Sequence, residues 1–203
     1  MPSADPQSGL QIIPLECPRC GTQLAAEDRD VVYYCAQCRE GFELAGNKFL
    51  PVQVRFALPR SSGQGTPVYI PLWCFSVAPE FQSNNRFKLT RIAQYGFAFQ
   101  TVYVEAFQRQ ATSLRLDIGL LYTNAQVEFE TVQYNVLRGC SRHRKDALQF
   151  AKIILLALVD QKVDITGVDV QLNVKDSILV GFPFYKEGIA YYDGMLGKKF
   201  FID

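Results

Sequence analysis

Cys17-Pro18-Arg19-Cys20 and Cys35-Ala36-Gln37-Cys38 are two Cys-x-x-Cys pairs separated by 14 residues. Two thiolates spaced in this way can hold one cation from a single tight turn, and a second such turn completes a tetrahedron of sulfur. With Cys17, Cys20, Cys35 and Cys38 as ligands, no coordination position is left for water or substrate. The expected role of the metal is therefore structural, and one Zn²⁺ ion is the expected cofactor. Iron, two disulfides and four unrelated buried thiols are the alternatives. Disulfides fit poorly with a chain whose first residues lack a basic and an apolar region of the secretory kind.

Around the pairs the residues read as β-hairpins. Residues 10–15 form a short lead-in strand, and Val31-Val32-Tyr33-Tyr34 is β-branched and aromatic, as a strand before the second pair should be. These features resemble the zinc-ribbon superfamily, whose members carry two such knuckles on β-hairpins. The first knuckle is also similar to that of rubredoxin, because Gly21 follows Cys20; the second departs from it, since Arg39 and Glu40 follow Cys38. The resemblance implies a scaffold. Its members include nucleic-acid-binding proteins, polymerase subunits and protein-docking modules, so it leaves the function open.

The 203 residues suffice for a small metal-bound module and one ordinary domain. Hydrophobic residues at 48% and charged residues at 20% describe a folded chain. Lys and Arg number 21 against 20 Asp and Glu, so there is no global positive field of the kind that phosphate-rich partners attract. The longest apolar stretch, residues 147–159, is interrupted by Gln149 and Lys152 and is shorter than the roughly 20 residues of a spanning helix. A soluble, cytoplasmic protein is expected.

The division expected from composition is a flexible tail over residues 1–9, the zinc ribbon and a following strand over 10–58, a Gly-, Ser- and Pro-rich linker over 59–67, and a β-rich domain over 68–203. The fold class is α+β: a small zinc ribbon followed by a mainly antiparallel β domain with one buried helix. Strand-like alternation marks residues 49–58, 68–77, 86–93, 97–107 and 113–122. Residues 147–159 read as the helix. Strands 168–174 and 178–185 then pair across a turn at Asp176, and turns at 186–188 and 193–194 precede a last strand over 199–202. Ile70-Pro71-Leu72-Trp73 and Tyr191-Tyr192-Asp193-Gly194 resemble segments of uncharacterised bacterial proteins in which a ribbon precedes a β-rich domain. No activity follows from that likeness.

Two surfaces stand out. Pro71 and Pro183 remove ladder donors and suggest sheet edges, which makes Tyr69, Trp73, Phe184 and Tyr185 the expected aromatic contacts for a protein partner or for self-association. The other surface is the one basic cluster, Arg138, Arg142, His143, Arg144 and Lys145, which could contact nucleic acid or an anionic membrane surface. Aromatic residues for base stacking are not interleaved in it. Cys140 and His143 lack an orienting third group, no phosphate loop or nucleophile elbow occurs, and no small-molecule substrate is expected. The expected function is a non-enzymatic adaptor or scaffold that binds protein, with nucleic-acid or membrane binding as the alternative.

Overall fold

The computed structural model describes residues 13–97, 99–107, 118–134 and 136–200. Its first unit is a three-stranded antiparallel sheet in the order β1 (Val32–Cys35), β2 (Glu40–Ala45), β3 (Lys48–Val52). The second is a seven-stranded sheet built from β4 (Val54–Ala57), β5 (Val68–Ser83), β6 (Thr101–Glu105), β7 (Thr131–Val132), β8 (Val168–Glu187), β9 (Ala190–Asp193) and β10 (Lys199–Phe200). Helices α1 (Arg86–Gln94), α2 (Ile118–Ala125) and α3 (Arg144–Asp160) complete an α+β fold.

The two longest strands, β5 and β8, run antiparallel from Val68↔Phe184 to Ser83↔Val168 and form the spine of the sheet. Side-chain alternation in β5 sends Trp73, Phe75 and Val77 to one core and Leu72 and Cys74 to the other. That is why this segment is apolar on both faces. On the first side, α3 packs Ala147, Ala151, Leu155 and Val159 against the sheet; on the second, α2 brings Ile118 and Tyr122 against Tyr103, Phe182 and Phe184.

Four expectations change. Residues 86–93 are helical, because Asn85 caps the amides of Phe87 and Lys88 at 3.0 and 3.4 Å, and Ile92 alone of α1 is buried. Residues 118–122 lie in a helix whose first amide, that of Ile118, donates to the buried Glu105 carboxylate at 2.9 Å; residues 113–117 lie outside the described residues. The expected helix is thus one of three. No turn occurs at Asp176: β8 passes straight through, a bulge absorbs Lys175, and the Asp176 side chain accepts from the Ser177 amide at 2.8 Å. Residues 49–58 are two strands, since the chain leaves the small sheet at Val52 and enters the large one at Val54, with the Gln53 carbonyl already accepting from Leu179. The lead-in strand and the last strand fall partly outside the described residues; Glu16 bridges Gln23, and β10 covers 199–200.

The prolines mark where flanking strands stop. Pro71 lies one residue past the last β5–β6 pair, Leu72↔Glu105, and its carbonyl accepts from Ala106. Pro183 lies between the end of the β4 pairing at Gly181 and the start of the β9 pairing at Phe184, and its carbonyl accepts from Gly194. A missing N–H costs nothing at either gap. Residues 59–67 cross over β9, where the amides of Arg60 and Ser61 donate to Gly194 and Gly63 lies on the Tyr185 ring, so close that a Cβ there would fall 2.4 Å from Cγ.

Candidate metal centre

Both knuckles are built by the same backbone device. The amide of Gly21 donates to Cys17 O at 2.9 Å, and that of Arg39 donates to Cys35 O at 2.8 Å, so each pair closes one tight turn. The residue that closes it must turn left-handed. Gly21 does so at φ +72° without strain, and Arg39 does so at φ +60° with a Cβ, which costs on the order of 1 kcal/mol. The Arg39 guanidinium reaches Gln133 Oε1 at 2.8 Å and holds the second knuckle to the large sheet. Arg19 pairs with Glu40 across the two knuckles.

The turns bring all four sulfurs within 4.8 Å of one another, with Cys17–Cys38 at 3.4 Å and Cys20–Cys35 at 3.5 Å. A tetrahedron of thiolates around a cation at about 2.3 Å has edges of about 3.8 Å, so the donor set fits a four-coordinate ion. Among the described residues it is the one His, Cys, Asp and Glu cluster able to hold a metal. The thiols are held unequally. Thr22, by its hydroxyl and amide, draws the Cys20 thiol down to about 6, whereas desolvation and the neighbouring sulfurs push Cys38 up to about 12. Four thiolates at this spacing repel one another unless a cation lies among them. Cys17 and Cys35 are buried, Cys38 is half-buried and Cys20 is exposed. Leu24, Tyr33 and Phe42 pack beneath them, and Phe49 meets Tyr33 and Phe42 edge-on.

Besides Arg39, three contacts fasten the small sheet to the rest of the fold. The amides of Val31 and Val32 donate to Cys140 O at 2.8 and 3.3 Å, and Tyr34 Oη donates to Tyr134 O at 3.3 Å. Asp30, 8% exposed, accepts from the Glu27 amide through Oδ2 at 2.9 Å. Its Oδ1 makes no direct hydrogen bond, so the Gly139 and Cys140 amides act on it only as nearby dipoles. Burial raises the Asp30 carboxyl above the usual range, and those amides and the Arg138 charge offset only part of that. The third fastening is Glu43 of β2, 5% exposed, whose Oε1 accepts from the Arg144 amide at 2.8 Å and faces His143 Nδ1 at 3.1 Å. His143 is the N-cap of α3 but makes no cap bond with its own side chain. Glu43, about 100 residues earlier, supplies the cap in its place.

These contacts redistribute the basic cluster. Arg142 donates to Glu105 O at 2.5 Å and lies 4.1 Å over the Phe150 ring, and His143 is held by Glu43. Arg138, Arg144 and Lys145 remain exposed. The expected aromatic surface is corrected outright. Trp73 and Phe184 are 0% exposed and Tyr185 is 5% exposed, with Trp73 and Phe184 in cores on opposite faces of the sheet. Tyr69 is half-buried against Phe56 and Tyr134. Trp73 Nε1 donates to Arg142 O at 2.9 Å, which is an interior role.

Between the β2–β3 hairpin, the start of α3 and the spine of the large sheet lies a groove of about 590 Å³. Leu50, Phe75, Leu148 and Val174 give it an apolar lining, and Ser177 of β8 forms part of one wall. Sequence reading finds neither Glu43 nor this groove, because both depend on segments far apart in the chain. No family model, curated protein or solved structure matches the chain. No helix among the described residues is long and apolar enough to cross a membrane.

Proposed function

We propose that this chain is a non-catalytic, cytoplasmic, zinc-stabilised interaction module that binds protein by strand addition. The single feature that carries the reading is the outer edge of β8 over residues 168–177. Among the described residues its only strand partner is β5, because β4 starts pairing at Leu179 and β9 at Phe184. An unpaired edge is a template for another strand. The β5 side of the same arm is blunted, since the Val77 amide is taken by Gln100 O and Pro79 has no amide to offer. The four-sulfur donor set supports zinc in a structural role, with no ligand position left for catalysis.

Nucleic-acid or membrane binding through residues 138–145 has less to work with, because Arg142 and His143 are engaged internally and Glu43 already occupies the start of α3. The test is metal quantification on the purified chain, then capture from lysate with wild-type and Leu172→Pro baits, each with and without nuclease. One zinc per chain and a protein set that survives nuclease but is lost with the proline are expected. Capture that vanishes with nuclease and falls steeply with salt would overturn the reading in favour of the basic cluster. Capture unaffected by the proline would remove the edge from it.

A further inference from the structure

We infer that the open edge of β8 pairs with the same edge of a second copy of this chain, antiparallel about a two-fold axis through Leu172; this rests on the strand-addition reading. The parity of the ladder comes first. The Val170 amide turns away from β5 and is held by its own Asp169 Oδ1 at 2.8 Å, and the Leu179 amide turns the same way, to Gln53 O. On β5 the Val77 amide points away from β8, so the Val77↔Val174 pair exchanges no hydrogen bond. Alternation from either anchor places the N–H and C=O of Val170, Leu172 and Val174 on the outer edge.

An antiparallel partner centred on Leu172 sets Leu172 opposite itself and Val170 opposite Val174. Every outward group then meets an outward group, giving three hydrogen-bonded pairs. Moving the centre by one residue, to Gln171 or Asn173, still sets Leu172 against an outward residue, so parity leaves these registers open and the charges choose between them. The side chains agree with this register. Val170 and Leu172 pack towards the first core and Val174 is 39% exposed, so the two apolar rows become continuous across the axis.

The charges agree as well. With this centre, Asp169 falls opposite Lys175 of the other copy, twice by symmetry, and both side chains are exposed. Among residues 168–175 these are the two charged side chains, and they are of opposite sign. An acidic or a basic strand would leave one of them facing its like. The second copy is therefore the occupant that the edge fits. On pairing, Asp169 exchanges its own Val170 amide for Lys175 of the neighbour, and that amide passes to the neighbour's Val174 carbonyl.

The experiment is sedimentation velocity of the metal-loaded full chain from micromolar to hundreds of micromolar. A concentration-dependent dimer is expected. Lys175→Glu turns two attractive pairs into repulsive ones and should raise the dimer Kd about tenfold, and Asp169→Lys should do the same. The double variant Asp169→Lys/Lys175→Glu restores opposite charges and should return Kd to within about threefold of the wild type. Leu172→Pro should abolish the dimer while leaving the β5–β8 ladder whole, because the Leu172 amide faces outward; the charge variants lie on the wet face and keep the test valid should the proline fail to fold. A chain that stays monomeric at every concentration would overturn the inference, and so would a dimer indifferent to the charge reversals. If the monomer still captures protein in a proline-sensitive manner, strand addition stands and only the second copy is lost.

Discussion

Removing the Glu43 carboxylate should destabilise a helix with which it shares no local sequence. Glu43 Oε1 accepts from the Arg144 amide at 2.8 Å, and the side chain is 5% exposed, so water cannot replace it without the ribbon moving. Loss of a helix cap costs about 0.5–2 kcal/mol and loss of a hydrogen bond to a charged group about 1.5–3 kcal/mol. These describe one interaction and are not added. Relief of the carboxylate's own desolvation opposes them, which places Glu43→Ala near 2 kcal/mol and Glu43→Gln, which keeps an acceptor, near 1 kcal/mol. For a chain of this size that is a fall of about 4–8 °C in Tm for the alanine variant. The assay is guanidinium denaturation followed by the fluorescence of the single tryptophan. Trp73 lies in the large sheet and donates to Arg142 O, two residues before α3 begins, so it reports on this junction and not on the knuckles. A His143→Ala variant and the double variant complete a cycle, in which coupling of roughly 0.5–1 kcal/mol is expected. An unchanged midpoint for Glu43→Ala would refute the reasoning, for it would mean that solvent satisfies the first turn of α3 as well as the ribbon does.

Trp73→Ala should behave as a core truncation and not as a surface change: it leaves a cavity and removes the bond from the indole to Arg142 O, for a loss of about 3–5 kcal/mol in denaturant unfolding followed by circular dichroism. A loss under about 1 kcal/mol would return Trp73 to the surface. The pH dependence of stability should carry two opposite signs. Burial raises the Asp193 carboxyl despite its bonds from Tyr122, Met195 and Leu196, so its stabilising share is complete below the ordinary Asp value of about 4 and is lost as pH rises through the folded-state value. Asp164 is held low by Lys88 and Thr166, so its share is present above the ordinary value and is lost as pH falls. Tm measured against pH should therefore decline less above about pH 4 in Asp193→Asn and fall less steeply on the acid side in Asp164→Asn; an unchanged profile in either variant would contradict the assigned sign.

The knuckles were legible because a metal site of this kind is local: each pair of ligands lies within one turn, and the spacing alone states the geometry. The strand character of residues 168–174 was legible for the same reason, since Val168, Val170, Leu172 and Val174 alternate with polar residues, but its partner was not: the ladder runs to β5 and not to residues 178–185. The helices α1 and α2 were not. Each is short, and over eight or nine residues a helical face and a strand face pick out overlapping apolar positions; the one local sign of a helix at α1 is its N-cap, Asn85. Lys175-Asp176-Ser177 has turn composition, but a turn and a bulge call on the same residue types. The aromatic run at Tyr69 and Trp73 read as surface because proline suggested an edge, whereas Pro71 lies where β6 ends and the rings beside it fill the interior.

The least legible feature is how the four-cysteine cluster bears on the large domain, and β1 shows the physical reason. All four of its residues are buried, which a strand on the face of a free-standing ribbon would not need. Tyr33 and Cys35 point into the small core beneath the sulfurs, whereas Val32 and Tyr34 point into the main core, where Tyr34 meets Phe56 edge-on at 5.3 Å. One strand thus has the core beneath the four sulfurs on one side and the domain core on the other. Gly41 completes the join, since a Cβ there would fall 2.3 Å from Val54 at the start of β4. Because β1 also hangs on Cys140 O and β2 caps α3 through Glu43, slackening the knuckles removes one wall of the main core and the cap of its longest helix together. The two cores should therefore melt as one unit, and a metal held by Cys17, Cys20, Cys35 and Cys38 should act on the whole chain through packing and capping, although those cysteines span only 22 residues.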